Sequence, residues 1–379
     1  MGRLMNNYFY GKAGKGDFKK SDLPKNRREL FWQTLRVRIS GLFRMNLMTC
    51  VAFIPLIILL FSFSYRMIIY YLNLNTVAAG GTVMVYSQET EEYIEDTAAT
   101  EAYGAEWNSL TEYAQANAGV GYSSDYMIFS MIFSRFLLNT GAFSVSFWEG
   151  LTSSLLLLLI PCILITGPVQ AGMAYVCRNW ARDEHAFIWS DFKDAVKNNW
   201  KQALGVSALY SVLPLLLCVA FQYYWGLTYT MGMFMYIPVA LIICVALLSF
   251  LSLAYVYPML VGYKVTFRQL LKNSFILAAG RLPHTLGVRL AMLVPALIAA
   301  VVIYLWTSVF MYALLILAAY YVLLGNALAR FSYASLSNSV FEKFINPNIP
   351  GAPTRSGLAE EEDEDDDDEP AEDAAESGK

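Results

Sequence analysis

Long apolar runs separated by short charged stretches set the pattern of this chain. A bilayer core is crossed by roughly 20 consecutive apolar residues in a helix. Runs of at least that reach predict transmembrane helices at 46–72, 148–177, 203–225, 232–258, 286–306 and 309–330. The third and fourth are joined by the short link Gly226 to Met231. The stretch Val288 to Leu328 exceeds what one tilted helix needs, so it divides near Trp306 and Ser308, although no Gly or Pro marks a turn there. The expected fold class is all-α: a polytopic transmembrane helical bundle of six spans, with cytoplasmic amphipathic helices and one long outer loop.

The polar positions orient the bundle. Residues 1–45 hold 11 Lys+Arg and three acids, and 178–201 holds Arg178, Arg182, Lys193, Lys197 and Lys201. The segment 259–289 holds Lys264, Arg268, Lys272, Arg281 and Arg289 with no acid. Between them, Asn73 to Phe147 carries one Arg, Arg135, and Gly226 to Met231 has no charge. The three basic regions fall on one side, which the positive-inside rule makes the cytoplasm, with both termini there. Aromatic clusters such as Tyr223, Tyr224 and Trp225 fit an interfacial belt at the outer ends. The resulting organisation is a basic arm at 1–45, a first span at 46–72, an acidic outer insertion at 73–146, a five-span bundle at 147–335 and a cytoplasmic tail at 336–379. Within the insertion, Tyr126 to Leu138 is apolar but too short to span, and reads as a helix on the outer interface.

Composition agrees with this class: hydrophobic residues make up 56% of the chain and charged residues 15%, against about 25% charged in soluble domains. The formal charge of −4 comes from the end of the chain, where Glu360 to Glu369 is an unbroken acidic run. From Ala359 onward there are 13 acids and one Lys; the rest holds 26 Lys+Arg against 18 Asp+Glu. That tail reads as a disordered, solvated extension. The body's excess positive charge flanks the spans, so the expected partner is the lipid bilayer and not nucleic acid. Cys50, Cys162, Cys177, Cys218 and Cys244 lie in or beside apolar runs without metal-ligand spacing, and read as core packing. The first apolar run follows a basic stretch and lacks a small-residue cleavage site, so it reads as an uncleaved span.

No catalytic constellation emerges, and no cofactor or metal is expected. His185 and His284 lie in loops without partners at ligand spacing, and Gly11, Gly14 and Gly16 lack the strand and G-K-[ST] of a phosphate loop. The second span is the irregular one: Pro161, Gly167, Pro168, Gln170 and Gly172 fall inside it. Each proline removes a backbone donor. One reading is a broken helix lining a cavity; the other is a packing kink whose small residues admit a close neighbour. Arg66, Glu149 and Arg289 sit near span ends, where they can snorkel. Gln170, Gln222 and Asn326 are the polar residues left inside, and with no Asp, Glu or His at mid-span a proton relay is not expected.

The segment Ser190 to Gln202 predicts an amphipathic helix, with Phe192, Val196, Trp200 and Ala203 on one stripe and Lys193, Lys197 and Lys201 beside it. It suits either anionic headgroups or a docking partner. The pattern F-[KR]-x-x-x-K-N-x-[WF] recurs 75 residues on, as Phe267, Arg268, Lys272, Asn273 and Phe275. A fainter version, Arg44-Met45-Asn46, precedes the first span. This reads either as three related units or as the shared demands of helices entering a membrane from the cytoplasm.

The chain resembles the YesL-like family of bacterial membrane proteins, a domain of unknown function. The resemblance rests on Asn46-Leu47, on Gly167-Pro168 through Ala171, on Ala174-Tyr175-Val176 and Arg178, and above all on Lys197-Asn198-Asn199-Trp200-Lys201-Gln202-Ala203. It covers roughly 30–72 and 147–335; the long acidic insertion and the polyacidic tail depart from the family. Members are often encoded beside carbohydrate-uptake systems of Gram-positive bacteria. The resemblance therefore implies a non-enzymatic plasma-membrane protein, accessory or regulatory in carbohydrate uptake, with a cytoplasmic or membrane partner in that system. The alternative is a transporter or channel whose path is lined by the second span. An intramembrane enzyme is the third class, and the chain lacks the acids, bases and ligands for it.

Overall fold

The computed structural model describes residues 24–88, 90–117 and 155–358. The basic arm up to residue 23, the interfacial helix expected at 126–138, the start of the second span with Glu149, and the acidic run from Glu360 lie outside the described residues.

The protein is an all-α polytopic membrane protein. Among the described residues, six helical runs are long and apolar enough to cross a membrane. They are α1 (Arg27–Ala78), α3 (Leu157–Trp180), α4 (Ser190–Met231), α5 (Tyr236–Gly262), α7 (Leu282–Leu305) and a final run that begins at Thr307. The last comprises α8 (Phe310–Tyr320), a π-helical turn (Tyr321–Gly325) and α9 (Asn326–Phe344). The division expected near Trp306 is present: α7 ends at Leu305, and a 3₁₀ turn, Thr307–Val309, starts the return. Gly232, at φ +81°, ends α4 in a backbone conformation that side chains rarely tolerate.

Several helices overrun the expected spans. Residues 27–45, assigned to the arm, are the first turns of α1. Residues 190–202, expected as a separate amphipathic helix, run without a break into the third span. Residues 336–344, assigned to the tail, complete α9. Once a helix is nucleated, extension continues until a breaker stops it, and 190–204 contains neither Gly nor Pro. The second copy of the pattern behaves differently. There α6 (Phe267–Gly280) is a distinct helix, opened by a capping box between Thr266 and Gln269. Gly280 closes it, and Pro283 in the first turn of α7 cannot continue a preceding helix.

The described part of the acidic insertion holds a short hairpin and a helix. β1 (Met84–Tyr86) and β2 (Tyr93–Glu95) pair antiparallel, with Val85 opposite Ile94. Asp96 caps α2 (Thr97–Asn117) by accepting the Ala99 N–H at 2.9 Å. The Tyr103 ring meets Tyr70 of α1 at 5.6 Å, so this unit leans back on the span that precedes it.

Burial is uneven along the bundle. Leu42, Met45, Met173, Trp180, Leu251, Tyr255, Tyr257, Phe331 and Phe341 are all buried, and all lie toward the end carrying the basic loops. Toward the other end Leu297, Ile298, Leu315 and Ile316 are exposed, a surface suited to lipid tails. The packed half is thus the basic half.

Candidate functional site

From Leu157 to Trp180 the irregular second span is one continuous helix. Pro161 and Pro168 both lie inside the single helix α3, so they do not break it as one of the two readings had it. Pro168 cannot bond the carbonyl four residues back, at Leu164. Ser207 of α4 supplies the missing donor: its hydroxyl donates to the Leu164 carbonyl at 3.0 Å. A neighbouring side chain satisfying a freed carbonyl is how membrane helices retain proline. The approach needed for this bond requires glycine. A Cβ at Gly167 would lie 2.3 Å from Ser207 Oγ and 2.6 Å from the Ala203 carbonyl oxygen. One at Gly172 would lie 2.6 Å from the Phe192 ring. Of the two readings of these residues, close packing between α3 and α4 describes the geometry.

Gln170, on the same helix, opens onto the polar interior. Its side-chain N–H donates to Thr166 Oγ1 at 2.7 Å, and its carbonyl accepts from Arg330 Nη2 of α9. The Arg330 guanidinium also lies 4.9 Å from the Tyr257 ring centroid. One helical turn along α9, Tyr333 meets a second cation. Arg289 Nη1 donates to the Tyr333 hydroxyl at 3.1 Å, and its guanidinium lies 4.3 Å from the Tyr333 ring and 4.6 Å from Phe250. Arg289 is 7% exposed, so it does not snorkel as expected from its place near a span end. Among the described residues neither guanidinium has a carboxylate within ion-pair distance. Even on lenient scales an arginine within a bilayer costs roughly 3 kcal/mol, and an aromatic face returns about 0.5–2 kcal/mol. Tyrosines take the place of counter-ions here. Around them, Tyr210 pairs with Ser252 and Tyr255 with Thr285, each at 2.6 Å.

Asn46 joins this interior to the first span. Its amide donates to the carbonyls of Tyr321 and Val322 at 2.9 and 2.7 Å, and its carbonyl accepts the Ala327 N–H at 2.8 Å. Those partners bracket the π-helical turn of the last run, whose wider winding misaligns carbonyls that an α-helix would use itself. π-bulges recur at functional sites. An apolar groove of about 440 Å3 runs from this turn toward the other end of the bundle, between α1, α7 and α8, with Phe53, Leu314, Tyr321 and Asn326 in its wall.

The amphipathic residues lie at the basic end. Lys193, Lys197 and Lys201 are exposed, as are Arg268 and Lys272 of the second copy. Phe192 packs on Gly172, whereas Trp200 stands 48% exposed. Eight residues turn about 80° beyond two full helical turns, so Phe192 and Trp200 do not share one face as the stripe suggested. Phe267 lies over Gly205 of α4, and Phe275 is half-buried. Trp200, Lys197 and Lys201 line a groove of about 830 Å3 with Lys264, Thr266 and Gln269. Beside it Tyr263 donates to Asn346 at 2.6 Å, and burial pushes the Tyr263 phenol up from its ordinary value.

Arg330, Tyr257 and Tyr333 had no place among the residues singled out from sequence. Arg330 falls on the last residue of an expected span, a position where a cation signals only the membrane edge. The one available signal was Gln170, a buried amide in need of a partner.

The family model described as "Protein of unknown function, DUF624" matches residues 147–221, a stretch that takes in α3 and most of α4. No curated protein and no solved structure matches the chain. The match covers the glycine seam, Gln170 and the Lys197–Ala203 segment on which the resemblance rests. Residues 147–221 thus match the model of DUF624, the domain of unknown function that YesL-like proteins carry.

Proposed function

We propose that this integral membrane protein is a non-enzymatic accessory or regulatory component of carbohydrate uptake in the bacterial plasma membrane, with both termini cytoplasmic. The link to sugar uptake rests on the YesL-like resemblance. The observation favouring an accessory role over a conduit is α3: its prolines are absorbed into one helix whose glycines are filled by α4. The rival reading, a transporter or channel, loses the broken span that motivated it. The contact surface for a partner is the groove at the basic end, where Trp200 is exposed among Lys197, Lys201 and Lys264. A half-exposed tryptophan in a cationic rim is the residue type that concentrates binding energy, and its truncation typically costs about 2 kcal/mol or more.

The experiment is Trp200→Ala in the native host, read by affinity purification in mild detergent and by growth on the sugar whose uptake is assisted. The expected outcome is loss of a co-purifying uptake component and slower growth at unchanged protein level. Unchanged growth and co-purification would leave Trp200 as a lipid anchor. Orientation has its own test. Reporter fusions after Asn75, Gly232 and Trp306 are expected to read outside, and fusions after Ala181, Gly262 and Lys343 inside. An outside reading at Lys343 overturns the proposed topology.

A further inference from the structure

We propose that Arg289 and Arg330 bind a phosphoryl group within the basic half of the bundle, a site independent of the role in sugar uptake.

The donors define the ligand. A guanidinium has two edges with paired N–H groups. In Arg289 the Nη1 donor is taken by Tyr333, while Nε and Nη2 are buried without a partner among the described residues. Those two form the side-on fork, whose parallel donors match two oxygens of a phosphate or carboxylate. The Phe250 and Tyr333 rings, 4.6 and 4.3 Å from the guanidinium carbon, offer no hydrogen-bond acceptor to that fork beyond the Tyr333 hydroxyl already bonded to Nη1. In Arg330 the Nη2 donor is taken by Gln170, and Nη1 is buried without a partner among the described residues. Arg330 and Tyr333 are three residues apart on α9, hence neighbours on its surface. The two cations therefore border the same tyrosine with three donor nitrogens unused among the described residues.

Charge and count favour phosphate over carboxylate. A carboxylate saturates one fork and leaves the second arginine uncompensated. A phosphoryl group offers oxygens for both. Such a group comes from one of two sources: the headgroup of a phospholipid, or soluble phosphate and its esters. Phe250, whose ring lies 4.6 Å from the Arg289 guanidinium, is 41% exposed, so one of the side chains packed on Arg289 also faces the outside of the bundle.

The test uses the full-length protein in maltoside detergent, which brings no phosphate of its own. Thermal unfolding is followed while phosphatidylglycerol, inorganic phosphate or sodium chloride of equal ionic strength is added. Co-purified phospholipid is counted by native mass spectrometry. Phosphatidylglycerol alone raising the unfolding temperature, or a retained phospholipid, assigns the site to a headgroup. Inorganic phosphate raising it above the chloride control assigns a soluble ligand. Arg289→Gln is expected to abolish either response. Arg289→Lys keeps the charge but not the fork, and is expected to weaken binding about tenfold. Lys197→Gln, at the exposed groove, is expected to leave it unchanged. The proposal is overturned if wild type neither responds nor retains phospholipid, or if Arg289→Lys responds and retains as wild type does. That second arm holds even where Arg289→Gln fails to accumulate.

Discussion

Gly167→Ala is expected to remove most of the protein from the membrane. The new methyl group meets Ser207 Oγ at 2.3 Å and the Ala203 carbonyl oxygen at 2.6 Å. Ser207 can rotate, but only by abandoning the Leu164 carbonyl that Pro168 leaves without its helical donor. Ala203 cannot yield at all, because the obstructing atom is helix backbone. Relief therefore demands that α3 and α4 separate along their whole contact. Overpacking typically costs about 1–3 kcal/mol, and the orphaned carbonyl adds about 1–3 kcal/mol more. Against a total stability of about 5–15 kcal/mol, that depletes the folded state. Ser207→Ala is not expected to rescue it, since the clash with backbone persists. Gly172→Ala is expected to cost less, because the atoms it meets, the Phe192 ring at 2.6 Å and Val196 Cγ2 at 2.8 Å, are side chain and not backbone. Gly287→Ala meets nothing within 4 Å and serves as the silent control. Membrane abundance of tagged variants decides the matter: equal levels for Gly167→Ala and Gly287→Ala would mean the seam is not as tight as described.

The seam also shows what could be read in advance. Small residues and prolines in the second span were legible as an irregularity, and packing was one of its two readings. What could not be read is why the helix stays whole. That depends on Ser207, an ordinary serine whose value comes from facing Leu164 across 43 positions of sequence. The spans themselves were legible because the bilayer imposes a length on every apolar run. Their ends were not, since hydropathy registers the membrane edge and a helix such as α1 or α4 continues past it. The buried cations fall between these cases. Arginine near a span end has two fates, reaching out to headgroups or turning inward, and hydropathy is the same for both. Arg289 turns inward because Tyr333 and Phe250 flank it, one on α9 and one on α5. Gln170 and Arg330 are 160 residues apart, a pairing that no local pattern encodes.

Asn46→Leu is the second substitution expected to have a large effect, and its cause is the π-helical turn. Asn46 is 1% exposed and makes three bonds to the backbone around Tyr321–Gly325. Leucine fills the volume and removes every one. The Tyr321 carbonyl keeps the Asn326 side-chain amide at 3.4 Å, but the Val322 carbonyl and the Ala327 N–H are then buried among apolar helices, each costing about 1–3 kcal/mol, for a sum on the order of 2–6 kcal/mol. Asn46→Asp is expected to fail as well, because a carboxylate keeps the acceptor for Ala327 and loses both donors. The bulge also predicts its own suppressor. A π turn holds one residue more than the α turn it replaces, so deleting Leu323, which is 44% exposed, lets the run close as a regular helix without rotating α9 against α8. In that background the Val322 carbonyl regains a helical donor, and Asn46→Leu is expected to become nearly neutral. Chemical unfolding of the purified single and double variants measures the coupling. If the two changes destabilise additively, Asn46 does not act through the π turn, and its three hydrogen bonds are incidental to the stability of the bundle.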